Sequence, residues 1–318
     1  MTDKAAREDD TRRPIGRVIA HPGPARLVEA VECLLHADSK RARRFLAFAE
    51  KSGMGLEHLW CAFDEDQKIT ATVMATLNPG RTAMLFSSRP KSRETLKTTA
   101  EVIDITCRGL KKAGVGLAQS LIPPENPLEI EAFQAGGLEK IATLTYMERS
   151  VPRRKERVEG RIPSGLRVES YRPEDRAKLE ALLAETYRET LDCPGLAKLR
   201  TPADVVDGHI RSGIFKPEWW LFLMKGETPV GISMMNISKT REAIELVYLG
   251  LTPEARGRGT GSALMGHALR KVCGSSQKTV VLAVDDSNEP ARRIYEQFGF
   301  RSTARRQAFV RSLDLGGG

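Results

Sequence analysis

The sequence predicts an α/β (α+β) fold made of two tandem units of similar architecture. Three observations point there. The chain has 318 residues, more than one hydrophobic core usually serves. Its second half runs through strand-like and helix-like periodicities in the order β-α-α-β-β-β-loop-α-β-α-β. Its first half repeats that order, and the ends of the halves align at a constant offset of 162 residues. At that offset Asn126 matches Asn288, Phe133 matches Tyr295, Gly137 matches Gly299 and Leu138 matches Phe300. Arg149 then matches Arg311, and Ser150 matches Ser312.

In the first half, helical patterns cover residues 25–36 and 39–51. Strand patterns cover 59–64, 69–77 and 82–87, and a helix over 92–113 leads to a strand over 115–122. In the second half, Leu166–Tyr171 alternates as a strand and 173–191 is an amphipathic helix. After the irregular DCPGLAKLR, a short helix starts at Thr201-Pro202 and runs to Ile210. Trp219–Met224 and Val230–Ile237 read as a hairpin, and 242–251 as the next strand. A helix over 262–272, a strand over 279–284, a helix capped at Ser287 or Asn288, and a strand over 306–313 complete the unit. The expected organisation is a disordered charged tail (1–15), a first domain (16–150), a basic linker (151–165) and a second domain (166–318).

Composition narrows the function classes. No apolar run reaches the roughly 18 residues a membrane span needs. MTDKAAREDDTRR lacks the apolar segment of a secretory signal. Five scattered cysteines without ligand spacing fit a reduced, cytoplasmic protein with no structural zinc. Cys193 is read as an ordinary loop cysteine rather than a reactive thiol. The net charge of +9 favours anionic partners. No aromatic-interleaved basic stripe points to nucleic acid. A monomer or a homodimer is compatible with all of this.

The chemistry-bearing segment is Arg256-Gly257-Arg258-Gly259-Thr260-Gly261, set between an apolar strand and an amphipathic helix. Glycines let the backbone approach a phosphate, and the first helical N–H groups point at it. Arginines add charge and forked donors. No Lys-Ser/Thr follows as in a Walker loop, and the spacing is G-x-G-x-G rather than the dinucleotide G-x-G-x-x-G. The pattern that fits is R-x-x-G-x-G at Arg256, Gly259 and Gly261. A second pattern lies in NEPARRIYEQFGF: Asn288, Ala291, Tyr295, Gly299 and Phe300 give N-x-x-A-x-x-x-Y-x-x-x-G-F.

On these two motifs the chain resembles the GCN5-related N-acetyltransferase (GNAT) superfamily over residues 166–313. The resemblance implies tandem acyl-CoA N-acyltransferase-like domains, each a mixed, mostly antiparallel central sheet flanked by helices. It implies acetyl-coenzyme A as cosubstrate, held by Arg256, Gly257, Arg258, Gly259, Thr260 and Gly261 at the pyrophosphate. Backbone groups of Leu249, Gly250 and Leu251 would bind the pantetheine arm, with Asn288 as a further contact. Direct transfer from the thioester to a primary amine of a small molecule or peptide, in a ternary complex, is the implied reaction. The tandem layout is similar to that of mycothiol synthase, and it also occurs in peptide and small-amine acetylases.

Acetyl transfer to an amine needs a base, because an alkylamine titrates near ~10. Glu245 is the candidate: it interrupts the apolar run AIELVYLGL, and burial would raise a carboxyl there toward a useful value. The resemblance makes Tyr295 the general acid toward coenzyme A thiolate. Tyr248 is a possible acceptor contact; it faces away from Glu245 in a regular strand, and a bulge would reverse that. His209 and His267 read as helix-surface residues, and Trp219 and Trp220 as core. The acceptor is expected near the 201–210 helix.

The first copy departs from the pattern where chemistry needs it. Its corresponding loop, SSRPKSRETLK, has no glycine, and Phe133 replaces the phenol. It is expected to bind no coenzyme and to shape the acceptor pocket instead. A different reading is a non-catalytic acetyl-coenzyme A sensor or scaffold.

Overall fold

The computed structural model describes residues 18–154 and 161–314. The expected tail 1–15 and the middle of the basic linker lie outside the described residues.

The first half runs β1 (Val18–Ala20), α1 (Leu27–Leu35), α2 (Ser39–Ser52), β2 (Leu59–Phe63), β3 (Ile69–Asn78), β4 (Thr82–Ser87), α3 (Arg93–Lys112), β5 (Leu117–Ile122), α4 (Pro127–Ala135) and β6 (Glu139–Ser150). The second runs β7 (Leu166–Ser170), α5 (Arg176–Thr186), α6 (Pro202–Arg211), β8 (Leu221–Lys225), β9 (Thr228–Ile237), β10 (Ala243–Leu251), α7 (Thr260–Lys271), β11 (Thr279–Asp285), α8 (Glu289–Gln297) and β12 (Arg301–Ser312). Local chemistry explains several boundaries. Asp38 caps α2 by accepting from the Arg41 N–H, and Thr201 caps α6 with Pro202 behind it. The last strand starts at Arg301 rather than at 306. The helix expected over 173–191 stops at Thr186, where the Arg256 guanidinium takes the carbonyls of Thr186, Arg188 and Glu189.

The twelve strands among the described residues form one sheet in the order β1-β2-β3-β4-β5-β12-β6-β11-β10-β9-β8-β7. The order shows an exchange. Strand β12, from the second half, pairs antiparallel with β5 of the first, and β6, from the first, pairs antiparallel with β11 of the second. The two exchanged strands also pair with each other at the centre. Each carries its core residue into the opposite half. Phe309 on β12 packs in the first core with Val102, Ile103 and Leu110, and Met147 on β6 packs in the second with Ile244, Leu264 and Leu282. Arg311 donates to the Gly136 carbonyl at 3.0 Å, and Arg149 donates to the Phe298 carbonyl. Met147 and Phe309, Arg149 and Arg311, and Gly136 and Phe298 are all equivalent at the 162-residue offset. The same contacts are therefore made twice, with partners swapped between halves.

Two layers flank the second half of the sheet. One face packs α7 and α8 over Ile244, Leu246, Val280 and Leu282. The opposite face packs α5 and α6 over Phe222, Ile232 and Met234. Trp220 belongs to this second cluster, fully buried, with its indole N–H on Asn236 Oδ1 at 3.0 Å.

Candidate active site

Strand β10 stays paired with β9 as far as Leu251, but with β11 only at Ala243, Ile244 and Glu245. Beyond Glu245 its edge toward β11 is unpaired by strand, so backbone donors and acceptors face a gap. A cavity of about 730 Å³ fills it, lined among others by Leu249, Gly250, Leu251 and Asn288.

Its far end is the start of α7. The helix N-cap is Gly259, at φ 72°, and no side chain caps the helix. The first helical N–H groups there have no helical partner and face the same cavity through Thr260, Gly261 and Ser262. Gly257, at φ 77°, lines the cavity too. Arg256 lines it as well, but its donors are committed: Nε to the Leu251 carbonyl at 3.2 Å and the remaining bonds to the end of α5. It pins the loop to β10 and α5 while keeping its charge beside the cavity. Arg258 is exposed and outside the lining set. Arg293, which the sequence reading passed over, lines the cavity near Asn288. Asn288 both caps α8, through Ala291 N–H at 3.2 Å, and faces the cavity.

The first half shares the splay, since β4 pairs with β5 only at Thr82, Ala83 and Met84, and it has a cavity of about 380 Å³ beside Ser88, Arg89 and Thr95, but its helix end and far wall differ. The N-terminus of α3 is closed by a capping box between Ser92 and Thr95. In the loop before it, the Arg89 N–H donates to His36 Nε2 at 2.7 Å. Glu129, equivalent to the small Ala291 of the second motif, is nearly buried and takes bonds from Asn126 at 2.9 Å and Ser87 at 3.3 Å. Burial pushes its pKa up. A carboxylate and a capped helix end stand where the second half has the small Ala291 and an uncapped helix led by Gly259.

Comparison with known proteins bears on the second half directly. The model of the acetyltransferase (GNAT) family matches residues 183–300. The mycothiol acetyltransferase of Streptomyces bingchenggensis is 30% identical over 140 residues, which is 44% of this chain and 44% of that protein. That of Streptomyces scabiei is 30% identical over 142 residues, with the same coverage. The chain thus matches less than half the length of these curated relatives. Among solved structures, a GCN5-related N-acetyltransferase from Sphaerobacter thermophilus superposes with a TM-score of 0.58 at 15% identity, covering 95% of this chain and 97% of that one. A tandem GNAT protein from the clavulanic acid biosynthesis pathway gives 0.51 at 11% identity, covering 95% and 99%. These two share the fold across both halves.

The second half holds a second, smaller cavity of about 150 Å³ on the α5/α6 face. Asp192 and Tyr248 line both cavities, so the two meet there. A register shift between Leu246 and Tyr248 sets Glu245 opposite Asn236 and Tyr248 opposite Met234, which places both on this face. Tyr248 bonds Thr186 Oγ1 at 2.8 Å, and burial raises its pKa. Glu245 is half-buried at the last rung before β10 leaves β11, and lines neither cavity. Tyr295 is 6% exposed, edge-on to Phe300 at 5.9 Å, and burial pushes its phenol well above the usual range.

His209 is not the surface residue its helix suggested. It lines the small cavity 5.9 Å from the Tyr248 ring, and burial lowers its pKa to about 4. The signal was available, since His209 lies one helical turn after buried Val205. The segment 192–200, irregular in sequence, supplies Asp192, Cys193 and Arg200 to the cavity wall, and nothing in its pattern announces that. Burial pushes the Cys193 thiol up to about 12, which leaves it inert as a nucleophile. The first half reaches this wall: a Cβ placed on Gly80, in the β3–β4 turn, would lie 2.2 Å from the Asp204 carbonyl and 2.7 Å from Arg200 Nη2.

Proposed function

We propose that the chain transfers an acetyl group from acetyl-coenzyme A to an amine, using one site in its second half. The observation that carries this reading is the gap beside β10 ending on the uncapped N-terminus of α7. It offers an extended row of backbone groups for an amide-bearing arm and a cluster of free N–H groups for a pyrophosphate. Leu249, Gly250 and Leu251 bind the arm; Gly257, Gly259, Thr260 and Gly261, with Arg256, Arg258 and Asn288, hold the phosphate end. The names of the relatives support acetyl transfer.

Acetyl-coenzyme A supplies an activated acyl thioester. In the balanced reaction the amine nitrogen bonds the carbonyl carbon, the C–S bond breaks, and ammonium plus thioester gives amide, thiol and a proton. Glu245, on the acceptor face but outside both cavities, receives that proton through a water relay. Tyr295 stays protonated at physiological pH and donates a hydrogen bond to sulfur as its charge develops. A thiol near ~8.5 is more acidic than this buried phenol, so the bond itself, more than a completed transfer, stabilises the departing thiolate. The first half carries no chemistry and braces the acceptor wall through its β3–β4 turn.

A free-thiol assay over amines and peptides tests the reading. Release of coenzyme A with at least one amine supports it; tight binding of acetyl-coenzyme A with no release across the panel favours the sensor reading. Gly259→Val is expected to weaken acetyl-coenzyme A binding roughly 10- to 100-fold. A β-branched residue in left-handed backbone costs about 1–2 kcal/mol, and relief of that strain would turn the helix-start N–H groups out of line. Unchanged affinity by calorimetry would move the phosphate site elsewhere.

A further inference from the structure

The small cavity on the α5/α6 face is mostly apolar or neutral. Its lining includes Leu196, Ala197, Val205, Val247 and two tyrosines. His209 is uncharged at neutral pH, because its pKa lies near 4. The charged groups in the wall are then one anion, Asp192, and one cation, Arg200.

These two are not satisfied by each other. Asp192 Oδ1 accepts the Asp285 N–H at 3.2 Å, at the end where the cavity opens into the coenzyme gap. Arg200 Nη2 donates to the Asp204 carbonyl at 2.9 Å, and its buried Nε has no hydrogen-bond partner among the described residues. Neither residue perturbs the titration of the other, whereas Tyr187 feels both, Arg200 lowering its pKa and Asp192 raising it. No ion pair joins the two among the described residues, and Tyr187 lines the same wall. The Asp204 carboxylate acts on Arg200 from nearby without forming an ion pair with it, so a ligand anion would add a direct partner to a half-buried guanidinium. Its forked donors suit a carboxylate.

We propose that the acceptor is an amino carboxylate of α-amino-acid size, its ammonium at Asp192 beside the coenzyme gap and its carboxylate on Arg200. This rests on the acetyltransferase reading of the adjoining gap. The volume of about 150 Å³ suits a ligand of that size. The Pro79–Gly80 turn of the first half, pressed against Arg200 and Asp204, fixes the guanidinium at the closed end.

Calorimetry of the full chain saturated with coenzyme A tests this, titrating each common L-α-amino acid against its own α-amide. At least one acid is expected to bind 10-fold or more tightly than its amide. Arg200→Gln should erase that preference with coenzyme A affinity unchanged, and Arg200→Lys should keep part of it. If Arg200→Gln fails to fold, the acid–amide pairs on the unaltered chain still decide. Equal binding within every pair, or no binding of any acid, overturns the proposal. Thiol release with an uncharged amine alongside that result would leave the acetyltransferase reading standing. Acid binding without thiol release would remove the acetyltransferase reading and keep the carboxylate site.

Discussion

Tyr295→Phe lowers kcat by roughly 10²-fold while acetyl-coenzyme A affinity changes less than about twofold. Two features set this expectation. The ring is packed against Phe300 in the core, so Phe keeps the volume and the edge contact. In the proposed mechanism the lost hydroxyl removes a donor to charge that exists only as the thiolate leaves, although Tyr295 itself lines neither cavity. Hydrogen bonds to charged groups are worth about 1.5–3 kcal/mol, roughly one to two decades in rate, and proton-donating roles reach higher. A kcat within about twofold of the unaltered enzyme would remove Tyr295 from the chemistry. A parallel fall in coenzyme affinity would make its role one of binding.

Phe309→Ala destabilises the chain by roughly 3–5 kcal/mol, and the damage appears in the first half. Phe309 belongs to the second half by sequence, yet it is fully buried among Val102, Ile103 and Leu110. Native-state hydrogen exchange should lose protection in β4, β5 and α3, with denaturant unfolding giving the total. Loss confined to β7 to β11 would contradict the exchanged strands. The coenzyme gap is built by β10, α7 and α8, so acetyl-coenzyme A binding to the folded fraction should persist.

That exchange is the part of the fold the sequence could not show. Strands β6 and β12 are repeats of each other, down to Arg149 and Arg311. Either would fit the edge of β5 or of β11, and alternation patterns report only that a strand exists and which face is apolar. The choice between the two edges is a long-range matter. The coenzyme gap was far more legible, because glycine spacing and a strand-to-helix turn are local demands of phosphate binding. The loop at 256–261 apart from Arg258, Leu249 to Leu251 and Asn288 all reach one cavity. Arg256 shows the limit of that reading: its charge was foreseen, while its four bonds to backbone carbonyls depend on α5, seventy residues away in the case of Thr186. The acceptor wall was least legible. Asp192 and Arg200 sit in an irregular segment, where position is set by packing and not by periodicity. The register shift before Tyr248 likewise follows from pairing with β9.

The central claim is that this tandem chain keeps one working coenzyme site, beside β10 and α7. Calorimetric titration of the full chain with acetyl-coenzyme A tests it most directly. One equivalent bound per chain, abolished or strongly weakened by Gly259→Val and indifferent to substitution of His36, is the expected result. Two equivalents would show that the capped α3 and the Glu129 carboxylate do not close the first half, and no binding at all would contradict the site itself.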